Sequence, residues 1–322
     1  MISSLGTALL DEFAWLNTEG DPVRPGEVRW GGGGTYAIIG ARVWTSKTGI
    51  IVRRGPDFPA HLAAQMASFG DIWQYQETVE PTPRALNTFV PPSPTRHFRY
   101  TAPPTPITAH ELAQHPILRH TQVLHLCCTP QHFLEAVVPS LSAFPASPLL
   151  VYEPIPFACT PAALPQLAYV FPRLHLFSPN HEEAGAILGF SSERMEEDGA
   201  VEEVASAFRR YGAGNIVIRS GARGAFVLAK GADAGMWVEP FHRDASAVKD
   251  TVGAGNSFLG GTMAGFLAFP DDLVKATQYG SVSAGIVVEG TDLPYLTIRE
   301  DGVELWNGKS AQARLEEMLE RR

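Results

Sequence analysis

The stretch Asp250-Thr251-Val252-Gly253-Ala254-Gly255-Asn256-Ser257-Phe258-Leu259-Gly260-Gly261 constrains the fold of this 322-residue chain more than any other. The run Ser246–Lys249 before it reads as a strand, and the apolar, small-residue segment Phe258–Phe269 reads as a helix. Gly253 and Gly255 lack Cβ where a chain turns sharply or meets a ligand. The first amides of a helix have no intrahelical partners and sit at the positive end of its dipole. Such a turn suits an anion, above all a phosphate oxygen. The same glycines would equally serve a turn that only packs a helix on its sheet. The turn alone does not separate the two readings.

The rest of the chain alternates strand and helix, the pattern of a parallel sheet with crossover helices. Residues 1–10 read as an opening strand with Asp11 at its carboxyl end, where ligands of open α/β sheets gather. Further strands are expected at 49–53, 122–127, 149–153, 174–177, 216–219 and 225–228, and helices at 36–44, 60–69, 131–141, 201–211 and 271–288. The interval 81–106 differs, with prolines at 81, 83, 91, 92, 94, 103, 104 and 106. Proline keeps to sheet edges and loops. The runs Ala85–Val90 and Arg96–Tyr100 therefore read as a ragged β-hairpin, paired with the extended piece near Val28.

Composition narrows the function classes. An apolar fraction of 45% is ample for one core, and a net charge of −9 without a Lys/Arg run argues against nucleic acid. Cys127, Cys128 and Cys159 have no metal or disulfide spacing, and His115, His120, His125 and His132 straddle different elements. Acidic Asp11 and Glu12 come too early for a signal peptide, and no apolar run reaches membrane-spanning length. The expectation is one cytoplasmic domain over 1–322 that touches neither nucleic acid nor membrane.

The glycine stretch resembles the Asp-Thr-x-Gly-Ala-Gly-Asp signature of the ribokinase/PfkB family of sugar and nucleoside kinases. That resemblance implies an anion hole at Gly253, Ala254 and Gly255 and places Asn256 where the family has its catalytic base. Asp250 is the nearest carboxylate in sequence. Gly6 and Asp11 are similar to the family's first strand, whose Asp binds a substrate hydroxyl. Gly31–Gly34 resembles its Gly-Gly-x-Gly-x-Asn segment, which puts Gly32 and Gly33 at the substrate and Tyr36 where the Asn falls. Ser178–Ala184 resembles Pro-Asn-x-x-Glu, so Asn180 and Glu183 would organise the magnesium of Mg-ATP, often through water. The same run also reads as an ordinary N-cap with acids in the first turn. Ser220, Gly221 and Gly224 match a loop beside the nucleotide phosphates, with Arg223 adding charge, and Gly290 would edge an adenine pocket walled by helix 271–288.

The implied fold is a ribokinase-like, Rossmann-like three-layer α/β sandwich with a small β-lid from about 12–30 and 77–106. ATP and Mg2+ are the implied cofactors. A monovalent cation and an oligomer built through the lid are allowed. Fungal members named for maintenance of killer virus look similar in the Gly-Asn-Ser-Phe-Leu-Gly-Gly run. Two function classes survive: an ATP-dependent phosphotransferase on a sugar- or nucleoside-like hydroxyl, weakened by Asn256, and a non-catalytic nucleotide- or sugar-binding scaffold. A neutral amide accepts a hydrogen bond but takes up no proton. Asn256→Asp is therefore expected to raise transfer about tenfold or more.

Overall fold

The computed structural model describes residues 1–90 and 96–321, so Pro91, Pro92 and Pro94 lie outside the described residues. The chain opens in β1 (Ile2–Ser4), leaves for β2 (Leu9–Trp15) and β3 (Glu27–Gly31), and returns through β4 (Thr48–Arg54) and β5 (Trp73–Glu77). It departs again for β6 (Arg84–Phe89) and β7 (Arg96–Ala102). The remaining strands of the large sheet are β8 (Val123–Cys128), β9 (Leu149–Pro154), β10 (Leu176–Phe177), β11 (Ile216–Arg219), β12 (Ala225–Leu228) and β13 (Met236–Val238).

The large sheet runs β13-β12-β11-β10-β9-β8-β1-β4-β5, parallel from β5 to β11 and antiparallel at β12 and β13. Side chains alternate between its two faces, because successive Cβ atoms of a strand point opposite ways. Val123, Val151, Leu176 and Val217 join one core, and their neighbours Leu124, Tyr152, Phe177 and Ile218 join the other. Helices cover both faces, which makes three layers. No helix among the described residues is long and apolar enough to cross a membrane.

The second sheet runs β3-β2-β6-β7. Here the structure departs from the sequence expectation twice. The chain leaves the large sheet at Ser4, so Asp11 lies within β2 of the small sheet rather than at the end of an opening strand. The hairpin partner of β6 is β7, but its other neighbour is β2, in parallel, and β3 pairs only with β2. The seven-residue β2 pairs with both β3 and β6, so it lies between the hairpin and the strand near Val28 that was expected to pair with it.

Three helices set the frame of the site: 33–42, 254–268 and 273–288. They approach closely because their contacts are small. A Cβ on Gly40 would overlap the Ser257 carbonyl, and one on Gly260 would overlap the Ala37 carbonyl. Gly280 meets Thr262 and the Phe258 carbonyl in the same way. The small residues of helix 273–288 thus pack against helix 254–268 and the Phe241 ring beside Gly285. Residues 246–249 are not a strand. Ala245–Ala247 form a 3-10 turn capped by Asp244, whose carboxylate takes the Ser246 amide at 2.8 Å.

Candidate active site

Gly253 is the N-cap of helix 254–268 and has φ 78° and ψ −7°. An L side chain is strained there, and a Cβ would also overlap the Tyr36 ring. The cap therefore has no side chain to satisfy the first turn. Ala254 N bonds back to Thr251 O at 3.2 Å, and no such bond is found for the amides of Gly255 and Asn256 among the described residues. Two donors at a dipole's positive end make a place for an anion. Just before it, Asp250 Oδ1 accepts from Val252 N at 3.0 Å, and Oδ2 lies 3.4 Å from Arg29 Nη1.

The helix start opens on a cavity of about 1180 Å³. Its wall includes Thr251, Val252, Gly253 and Asn256 on one side and Asp11, Gly32, Gly33 and Tyr36 on another. Asn180 and Glu182 reach the same space, with Cys127, Cys128, Phe98, Tyr100 and Phe157. Asp11 Oδ1 accepts from the buried Asn87 Nδ2 at 3.0 Å, which fixes the carboxylate across the small sheet. Burial, then the charges of Asp11 and Asp250, raise the Tyr36 phenol well above its ordinary pKa, so it enters the site as a neutral hydroxyl. Burial likewise pushes the Cys128 thiol up to about 12, which makes it a poor nucleophile.

Under this wall lies a charged cluster. Glu153, at the end of β9, meets His125 Nε2 and Arg219 Nη2, each at 3.0 Å, and accepts from Asn256 Nδ2. His125 Nδ1 is 2.8 Å from Ser4 Oγ. Burial pushes the Glu153 carboxyl up, but Arg219, His125 and the Asn256 amide outweigh it and leave the pKa low. Glu183 lies 3.6 Å from Arg219, and its own burial raises its pKa.

A family model described as pfkB family carbohydrate kinase matches residues 108–294, more than half of the chain. The chain belongs to the PfkB family. It is 29% identical to an uncharacterized protein of Schizosaccharomyces pombe over 319 residues, covering 90% of this chain and 86% of that one. It is 28% identical to protein MAK32 of Saccharomyces cerevisiae over 304 residues, covering 86% and 82%. Among solved structures it resembles an Arabidopsis thaliana ribokinase complexed with ribose and ATP, with TM-score 0.70, 15% identity and 98% of each chain covered. A putative ribokinase II of E. coli in complex with ATP and magnesium gives TM-score 0.69 at 19% identity, covering 100% and 99%. The fold is ribokinase-like.

Within this PfkB site, the residues singled out by sequence fall into two groups. Asp11, Gly32, Gly33, Tyr36, Asn180, Gly253 and Asn256 share the cavity wall. Ala254, Gly255, Glu183, Ser220, Gly221, Gly224, Gly290 and Asp250 are not on that wall. Ser220, Gly221 and Gly224 form the turn between β11 and β12, closed by Ser220 N to Gly224 O at 2.7 Å. Ser220 Oγ is buried with no protein partner among the described residues. Arg223 donates to Met195 O at 3.2 Å, so its charge is directed to the rim of a helix rather than to the glycine loop. Asp250 faces Arg29 and its own turn.

Asn180 and Glu183 form a capping box: Glu183 N donates to Asn180 Oδ1 at 2.7 Å and Asn180 N to Glu183 Oε2 at 2.8 Å. These oxygens are already used, and no group of three or more His, Cys, Asp or Glu that could hold a metal occurs among the described residues. Magnesium keeps several waters and takes one or two carboxylates plus substrate phosphates. The donor set therefore fits an ion carried by a nucleotide and met through water, not one held by the protein alone.

Asn87, His125, Glu153, Arg219 and Arg29 are additions from the structure. Glu153 and Arg219 end apolar strand runs, where open α/β sheets place ligands, and that position was their only sequence signal.

Proposed function

We propose that the chain binds Mg-ATP and a sugar- or nucleoside-like small molecule, and transfers phosphoryl to a hydroxyl of the latter at a reduced rate. The observation that carries this is the left-handed Gly253 cap, which leaves amides of Gly255 and Asn256 at a helix start opening on the cavity that holds the Asp11–Asn87 pair. In this reading the loop of Gly253, Ala254 and Gly255 meets the charge on the transferring group, through the amides of Gly255 and Asn256. Asp11, Gly32, Gly33 and Tyr36 bind substrate. Asn180 and Glu183, with Glu182, meet the water shell of the magnesium, which neutralises phosphate charge when bound. Ser220, Gly221, Gly224 and Gly290 border the nucleotide, and the orphaned Ser220 hydroxyl supports a contact there. The small sheet acts as the lid. A cytoplasmic place, a monovalent cation and oligomerisation through the lid belong to the same proposal.

Positioning and electrostatics carry most of phosphoryl transfer, so losing a base slows the reaction by roughly 10²–10⁴ without abolishing it. One observation favours a second reading, a nucleotide- or sugar-binding scaffold: the Asn256 NH2 group is engaged with a buried carboxylate, and the neutral oxygen that remains takes up no proton. A thermal-shift screen with Mg-ATP, sugars and nucleosides tests the proposal. Stabilisation by Mg-ATP, increased further by one class of hydroxyl compound, is expected. No shift with Mg-ATP at millimolar concentration would remove the kinase reading. Binding without any transfer would leave the scaffold.

A further inference from the structure

Glu153 has a side chain only 4% exposed, and both of its oxygens are engaged. Oε1 faces His125 Nε2 and Asn256 Nδ2, and Oε2 faces Arg219. An ionised carboxylate only accepts hydrogen bonds, so Asn256 must present its NH2 group to Glu153. Its Oδ1 is then left for the cavity that Asn256 lines. Arg219 supplies the compensating charge from directly beneath the glycine loop, where a Cβ on Gly255 would overlap its Nη1. The groups facing the pair are His125 and Cys127 from β8, Arg219 from β11 and Glu183 from helix 181–188.

A carboxylate at position 256 would meet Glu153 with no donor between them. Like charges sharing a buried site disfavour each other's ionisation. We propose that Glu153 dictates the amide at position 256: the negative charge lies behind the cavity wall, balanced by Arg219, and Asn256 presents Oδ1 to a substrate hydroxyl as a neutral, fixed acceptor. Glu153 is then a positioning residue. The role of the hydroxyl rests on the phosphotransferase reading, whereas the pairing does not.

Melting temperatures of N256A, N256D and the reciprocal swap E153Q/N256D, all at one pH, test the pairing. Alanine removes the hydrogen bond, and aspartate removes it and adds a charge. N256D should melt below N256A by roughly 3 °C or more, and the swap should recover most of that loss. The Asn256 side-chain amide resonance should also move in E153Q, a reading that general loosening of the fold would not single out. N256D as stable as N256A, or an unmoved resonance in folded E153Q, would overturn the pairing. The alanine–aspartate comparison stands even if E153Q fails to fold. Calorimetric titration of the parent with Mg-ATP, run alongside, separates the claims: coupling without binding keeps the pair and removes the kinase reading, and binding without coupling does the reverse.

Discussion

An aspartate at position 256 restores a base only if its surroundings accept the charge, and Glu153, which takes the Asn256 amide, opposes one. The expectation that Asn256→Asp alone restores a base therefore changes. N256D should raise ATP turnover far less than the swap E153Q/N256D, which carries one carboxylate at the cavity face and should exceed the parent by about tenfold. Initial rates of ATP hydrolysis for both variants decide it, and a single variant faster than the swap would sink the argument. Gly255 is also a less clean probe than its place in the motif suggests. A valine there would strike Arg219 and disturb the Glu153 cluster before it affected any phosphate. Tyr36, packed on Gly253 and lining the cavity, is the better test of substrate fit. Tyr36→Asn should change which sugar or nucleoside shifts the melting temperature, with little effect on nucleotide affinity.

Among the elements, helices 33–42, 254–268 and 273–288 hold the two glycine loops in fixed relation. Gly260→Ala forces the first two apart at the Ala37 carbonyl. Overpacking of this kind costs about 1–3 kcal/mol. Denaturant unfolding should show that loss, and nucleotide affinity should fall with it; unchanged stability would mean the helices are free to adjust. Most strands were legible because their runs are apolar and bounded by turns. Residues 216–219 and 225–228 appear at the expected bounds. The small sheet was legible as strands but not as an order. Pairing order is set between strands far apart in the chain, and β2 was hidden in a misread opening strand. The Ser246–Lys249 run misled because a single Val among Ser, Ala and Lys carries no period. Gly253 was visible as part of a glycine turn, and Asn256 stood out through the resemblance to the family signature. The cluster partners Glu153 and Arg219 were not, since Glu153 lies 103 residues before Asn256 and the two meet only in the folded chain.

Across the molecule, charge pairs tie distant segments to this core. Glu289, at the end of helix 273–288, binds Arg314 of the last helix, 311–320, together with His242 and Asn307. Burial raises its carboxyl pKa, but the hydrogen bonds from His242, Arg314 and Asn307 outweigh this and bring it to about 2. An unfolded glutamate titrates at about 4.3. Because folding lowers the value, the stabilisation is complete above that pH and is lost as the pH falls toward 2. Glu289→Gln should lower the melting temperature by roughly 3 °C at pH 7, and the gap to the parent should narrow below pH 4. A gap that is constant with pH would show that the cluster contributes no linked protonation. At the other end of the frame, the helix start at Gly253 forms the anion site of the proposed function. Hydrogen–deuterium exchange with and without saturating Mg-ADP tests it most directly. Slowed exchange in a peptide spanning 251–258 is predicted, since the amides of Gly255 and Asn256 would hold phosphate. Bound nucleotide with unchanged exchange there would contradict the account.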